Sequence, residues 1–118
     1  MKNAVYLDNA ATTPVRPEVL DAMMPYLTDE AFGNPSSAHR FGQRAQAGID
    51  RAKRQIADAL HAKPGQVIFT SGGTEADNLA VIGAALAAQS RLSPMRVAVG
   101  AAEHKAVIAA AKTVEKMG

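Results

Sequence analysis

Phe69-Thr70-Ser71-Gly72-Gly73-Thr74-Glu75-Ala76-Asp77-Asn78 is the stretch on which the fold turns. Gln66-Val67-Ile68-Phe69-Thr70 reads as a short strand of the buried type. Ser71-Gly72-Gly73 reads as a tight turn, and Thr74 to about Gln89 as a helix opened by a hydroxyl residue. Amides at a helix start point outward and carry partial positive charge. Glycines let a ligand approach the backbone closely. The stretch is therefore an anion cradle suited to a phosphate. The lysine of a P-loop is missing, and so is the spacing of a dinucleotide fingerprint. The same residues also suit a capping box, with Thr74 as N-cap and Asp77 three residues on. A helix terminus offers an exposed anion only about 0.3–1 kcal/mol, and about 2 when partly buried. Local physics alone leaves both readings open.

Working outward, Met95 to Val99 reads as a second strand and His104 to Lys116 as a last helix. Strand, helix, strand, helix points to an α/β sandwich with a mainly parallel sheet. Two strands leave both edges open, so something else is expected to complete that sheet. The helix from Thr74 is apolar nearly all round, with Leu79, Ile82 and Leu86 as its expected core positions. Ala102-Glu103-His104-Lys105 follows the carboxyl end of the second strand. Open α/β sheets bind ligands at that end, so Gly73-Thr74 and His104 fall at one expected edge. A histidine there can stack on a planar ligand or shuttle protons near neutral pH. A plain surface histidine at a helix start is the simpler account.

Upstream, Ala4 to Leu7 forms a short strand or an extended arm, and Asp8 to Pro14 a loop. A helix starts at Arg16-Pro17, since proline suits the first turn. Val19, Leu20, Met23, Met24 and Leu27 supply its stripe, and Pro25 falls near its end. Phe32 to Ser37 is a second loop, with the Ser36 or Ser37 hydroxyl available as a cap. The next helix runs from about Ala38 to Ala62. Phe41, Ala45, Ile49, Ala52, Ile56, Ala59 and Leu60 recur along it at steps of three and four. Lys63-Pro64-Gly65 stops it, and His61 near its end makes a favourable dipole contact.

Composition bounds the chemistry. The 118 residues suffice for one small domain. Hydrophobic residues at 47% and charged residues at 20% are ordinary for a folded chain and argue against disorder. No cysteine is present, which excludes a disulfide scaffold and any thiol chemistry by this chain. Its absence, with no apolar leader in residues 1 to 15, suits a cytoplasmic protein. The longest apolar run, Leu79 to Ala88, is about half what a bilayer needs. A net charge of +2 is a weak field. His39, Arg40, Arg44, Arg51, Lys53 and Arg54 form a basic stretch with only Phe41 interleaved. That reads as a solvated helix face rather than a nucleic-acid surface. No His, Asp or Glu set has metal-ligand spacing.

Four segments together resemble one family. Tyr6 to Pro14 is similar to the N-terminal motif of cysteine desulfurases of the nitrogen-fixation and iron–sulfur-cluster type. Phe32-Gly33-Asn34-Pro35-Ser36-Ser37, with His39-Arg40 and Gly42, resembles the next motif. Phe69 to Asn78 resembles the cofactor-phosphate turn, and Glu103 to Val107 the cofactor-stacking segment. Their order and spacing span nearly the whole chain. The resemblance implies the N-terminal part of a class V, fold type I transferase that depends on pyridoxal phosphate. Residues 1–65 would be an arm with helices, and residues 66–118 the start of the cofactor-binding large domain. It implies that Gly73 and Thr74 hold the cofactor phosphate. His104 would stack on the pyridine ring and also serve catalysis by moving protons. Asn34 and the loop from Asn9 to Thr13 would lie near the substrate mouth. The complete enzyme would be a homodimer turning L-cysteine into L-alanine and an enzyme persulfide, for iron–sulfur scaffolds or other sulfur acceptors.

The pattern also departs from that family. The family's cofactor-bearing lysine, its acidic partner for the pyridine nitrogen, its carboxylate-binding arginine and its nucleophilic cysteine have no match here. Lys2, Lys53, Lys63, Lys105, Lys112 and Lys116 all lie in other contexts. The chain is therefore expected to be inactive alone. The alternatives are a non-enzymatic module for a phosphate ligand or partner, and one half of a split enzyme. A sister class V aminotransferase or a selenocysteine lyase is a further one.

Overall fold

A computed structural model describes residues 4–89 and 96–117. The chain divides into two units, Met1–Val67 and Ile68–Gly118. Four helices carry the structure: α1 (Pro17–Leu27), α2 (Arg40–Ala59), α3 (Gly73–Gln89) and α4 (Lys105–Lys116). None is long and apolar enough to cross a membrane.

In the first unit, α1 opens where expected, with Arg16 extended and Pro17 in the first turn. Pro25 has no N–H to give the preceding turn, and α1 ends at Leu27. The Thr28 hydroxyl donates to the Met24 carbonyl at 3.1 Å, covering one of the open C-terminal acceptors. The stripe foreseen on α1 exists, yet no residue of this helix is buried. Met23 and Met24 of that stripe are thus exposed.

Helix α2 begins two residues later than its spacing suggests, and neither Ser36 nor Ser37 caps it. Their amides are taken by Asn34, through Oδ1 for Ser36 (2.9 Å) and the carbonyl for Ser37 (3.0 Å). His39 caps instead, its Nδ1 accepting from the Gly42 N–H at 3.3 Å. At the other end His61 stands in the left-handed region at φ 52°. The Ala62 N–H reaches the Ala57 carbonyl (2.8 Å), and the His61 N–H reaches Asp58 (3.3 Å). That is a Schellman closure, so His61 serves by its backbone rather than by a charge on the dipole. Mid-helix, Gly48 admits the Tyr26 ring: a Cβ there would lie 2.6 Å from its Cε1. The Tyr26 hydroxyl meets an Arg51 guanidinium nitrogen at 2.6 Å.

In the second unit, α3 packs on α4. Ala106, Ala110 and Val114 are buried at successive steps of four along α4, and Ala85 is buried on α3. Small side chains on that stripe let the two helices approach closely. Leu79 and Leu86, the expected core positions of α3, are instead 50% and 49% exposed. A helix apolar all round needs neighbours on every side, and among the described residues α3 gains one, α4.

The strands expected over Gln66–Thr70 and Met95–Val99 are not formed among the described residues. Gln66 belongs to a short 3₁₀ turn, Pro64–Gln66. Val67 keeps extended dihedrals (φ −91°, ψ 119°), but residues 67–70 and 96–100 join no ladder. Met95 lies outside the described residues. A strand is a paired object, and a buried parallel strand needs partners on both edges and cover on both faces. Ile68 remains 66% exposed and Phe69 51%. Ala4 to Leu7 likewise pairs with nothing described. Among the described residues the regular structure is therefore helical, and the expected strand pairing is not seen there.

No large side chain among the described residues is fully buried.

Candidate functional site

The turn before α3 is built from its own residues. The Thr70 hydroxyl donates to the Gly72 carbonyl at 3.1 Å. Glu75 reaches back, its Oε2 accepting from the Ser71 N–H (2.7 Å) and the Ser71 hydroxyl (2.6 Å). These bonds, the hydroxyl's first and the amide's second, hold the Glu75 carboxyl below its ordinary range. The first helical bond runs from the Ala76 N–H to the Gly72 carbonyl (3.1 Å). The N–H groups of Gly73, Thr74 and Glu75 precede it and meet no acceptor among the described residues. A Cβ built on Gly72 or Gly73 meets nothing within 4 Å, so the backbone is approachable there.

This geometry revises the capping box expected from Thr74 and Asp77. Helix α3 starts at Gly73, which puts Glu75, not Asp77, in the third helical position. Its carboxylate serves Ser71, outside the helix. The sequence does hold a signal for this, a serine four residues before a glutamate across two glycines.

His104 is the N-cap of α4. Its Nδ1 accepts from the Ala106 N–H at 3.2 Å. With Nδ1 an acceptor, a neutral ring must carry its proton on Nε2. The residue is exposed. Gly73, Thr74 and His104 all belong to the second unit, at the starts of two helices that pack together.

Asn34 belongs to the first unit. Its side chain and carbonyl both serve the turn described above, and Gly42 packs against that turn. A Cβ on Gly42 would lie 2.5 Å from the Asn34 carbonyl oxygen. In the loop from Asn9 to Thr13, the Ala11 and Thr12 amides turn back to the Asp8 carbonyl. The Tyr6 hydroxyl stands 2.8 Å from that carbonyl and 3.2 Å from the Thr12 carbonyl. Within the basic stretch, Arg51 bonds Tyr26, His39 caps α2 and Arg40 lies 5.7 Å from the Phe41 ring centre.

Comparison with known proteins places this geometry. The family model for aminotransferase class-V matches residues 5–118. The chain is 47% identical over 118 residues to cysteine desulfurase IscS of Dictyoglomus turgidum. It is 48% identical over 120 residues to the protein of that name from Photorhabdus laumondii. The figure for Escherichia coli K12 is 46% over 120 residues. In each case the match takes in 100% of this chain and 29% of the relative. A match over nearly every residue settles the affiliation: the chain belongs to the class-V aminotransferase family.

Proposed function

We propose that this chain is the N-terminal portion of a pyridoxal-phosphate-dependent cysteine desulfurase. The complete enzyme converts L-cysteine to L-alanine and holds the sulfur as a persulfide, for iron–sulfur cluster assembly or thiolation. The observation that carries the reading is the whole-chain identity to three proteins of that name, at 46–48%. On this reading residues 1–65 are the arm and its helices, and residues 66–118 open the cofactor-binding domain. Residues 67–70 and 96–99 become strands when further parallel strands lie beside them. Homodimerisation, docking of sulfur acceptors and a cytoplasmic setting belong to the same reading.

The class uses pyridoxal phosphate, and the donor set at α3 fits it. The Gly73 and Thr74 amides and the Thr74 hydroxyl are donors that a phosphate can engage together, at the positive end of a helix. Gly73 and Thr74 bind the phosphate. His104 offers its ring to the pyridine face and its Nε2 to hold or move a proton near the substrate. Its bond to Ala106 orients the ring and fixes which nitrogen does so. Once bound, the cofactor supplies an electron sink for chemistry at the substrate α-carbon. The sulfur carrier cannot come from this chain, which has no cysteine.

The chain alone is therefore inactive. The test is co-expression with the C-terminal portion of a cysteine desulfurase that carries its lysine and cysteine. Cofactor uptake with alanine production by the pair, and none by the chain alone, is expected. A pair that copurifies but takes up no cofactor overturns the reading. Turnover by the chain alone overturns its inactivity.

A further inference from the structure

Every helix start has a choice of where to place its hydrogen-bond acceptors. His39 and His104 each accept from an N–H inside the first turn of the helix they cap, on Gly42 and Ala106. Such a cap removes one of the donors that a helix start could offer a ligand. At α3 the acceptor is spent elsewhere. The Glu75 carboxylate turns back past two glycines to the Ser71 amide and hydroxyl. The Gly73 and Thr74 amides stay uncommitted. The two glycines have no side chains to hold the turn, and glycine loses more freedom on ordering than any other residue. Thr70 ties only as far as the Gly72 carbonyl, so the Glu75 bonds are the side-chain tie that spans both glycines.

We propose that Glu75 is a positioning residue for the cofactor phosphate. Its carboxylate clamps Ser71 across the Gly72-Gly73 turn and so pre-sets the Gly73 and Thr74 donors without consuming them. The inference rests on the reading of those donors as the phosphate cradle. Glu75 itself touches no phosphate. It carries a negative charge beside an anion site, which by Coulomb repulsion alone would weaken binding. Two opposed effects thus act through one side chain, and the clamp predicts that ordering wins.

The experiment uses the assembled enzyme, this chain with its C-terminal complement. Affinities of the cofactor-free assembly for pyridoxal phosphate and for phosphate-free pyridoxal are measured, with the phosphorus chemical shift of the bound cofactor. Glu75→Ala is expected to weaken pyridoxal phosphate about tenfold, the scale of one hydrogen bond to a charged acceptor. Pyridoxal is expected to bind the variant and the parent alike, and the phosphorus signal to broaden or move. Glu75→Gln keeps a neutral acceptor and falls between. Ser71→Ala removes one bond of the two, weakens pyridoxal phosphate by a smaller factor, and serves if Glu75→Ala does not fold. Unchanged affinity in Glu75→Ala, or in Ser71→Ala where it stands in, overturns the clamp and leaves the cofactor reading intact. Tighter binding by Glu75→Gln overturns it too, since repulsion would then be the whole effect. A parent assembly that holds pyridoxal as tightly as pyridoxal phosphate overturns the cradle itself, and the clamp with it.

Discussion

Helices α2 and α3 differ in how much of their apolar surface this chain covers. Polar and apolar residues on α2 are segregated, and its buried positions, Gly42, Ala45 and Ala57, lie within its own unit. Tyr26 seats on Gly48, Phe41 lies 5.3 Å from Phe32 between ring centres, and both ends are capped. Helix α3 is apolar nearly all round but is covered mainly where α4 meets it, and Leu79 and Leu86 stand half exposed. A one-sided helix is satisfied by one neighbour, while an all-round apolar helix belongs in the middle of a larger domain. The contrast is one of degree, since Phe41 and Ile56 on α2 also stay 45% and 37% exposed.

The largest effect should come from α3, and only when it is enclosed. In the complete enzyme Leu86→Ala is expected to cost about 2–5 kcal/mol, as for other core leucines. In this chain alone the same change should cost under about 1 kcal/mol, because half the side chain is already in water. Urea unfolding of both forms measures the difference, and equal costs would erase the distinction between α2 and α3. Within the first unit the order reverses. Gly48→Ala pushes a methyl into the Tyr26 ring and should cost about 1–3 kcal/mol in the chain alone. Tyr26→Phe, which removes only the exposed bond to Arg51, should cost under about 1 kcal/mol. A null result for Gly48→Ala would mean that Tyr26 is not held on α2.

A smaller effect of opposite sign is expected at the end of α2. An L-residue in the left-handed region is disfavoured by about 1–2 kcal/mol, and glycine escapes most of that at an entropic cost. His61→Gly should therefore stabilise the first unit by about 0.5–1 kcal/mol, raising its melting temperature by a few degrees. A loss of stability would show that the His61 side chain, and not its backbone, does the capping.

These sites also show what could be read in advance. All four helices were legible, because spacing, Pro17 and Lys63-Pro64-Gly65 are local signals. The turn at Ser71-Gly72-Gly73 was legible for the same reason. Caps were not, since α2 starts only at Arg40, which places His39, and not Ser36 or Ser37, at the cap position. The partner in the α3 turn was misassigned because the helix starts at Gly73, which exchanges Asp77 for Glu75. Nor could hydrophobicity say which apolar residues find neighbours. Ala85 and Ala110 are buried while Leu79 and Leu86 are not, because the α3–α4 contact selects for small size. The strands expected at 67–70 and 96–99 are not formed among the described residues, because a strand is held by its pairing and no ladder partner lies beside either segment there.

The finest test of the comparison is the pH response of the α3 start. Glu75 titrates below its ordinary value of 4.5 in the folded turn, because Ser71 donates twice to its ionised form. The unfolded chain thus binds the proton first as pH falls, so between the two values the unfolded state carries more protons. Stability from the clamp is therefore fully present above the unfolded value. It declines as pH drops through 4.5 and is gone once the folded carboxyl is itself protonated. Helix α2 has no acidic residue in its first turn and is capped there by His39. The Ser71 amide proton should accordingly shift in nuclear magnetic resonance spectra across that acidic window, while the Gly42 amide, which has no carboxylate acceptor, should not. In Glu75→Gln the Ser71 shift should be flat with pH. A Ser71 amide that titrates unchanged in that variant would mean that another group holds the turn, and the open donors of α3 would then owe nothing to Glu75.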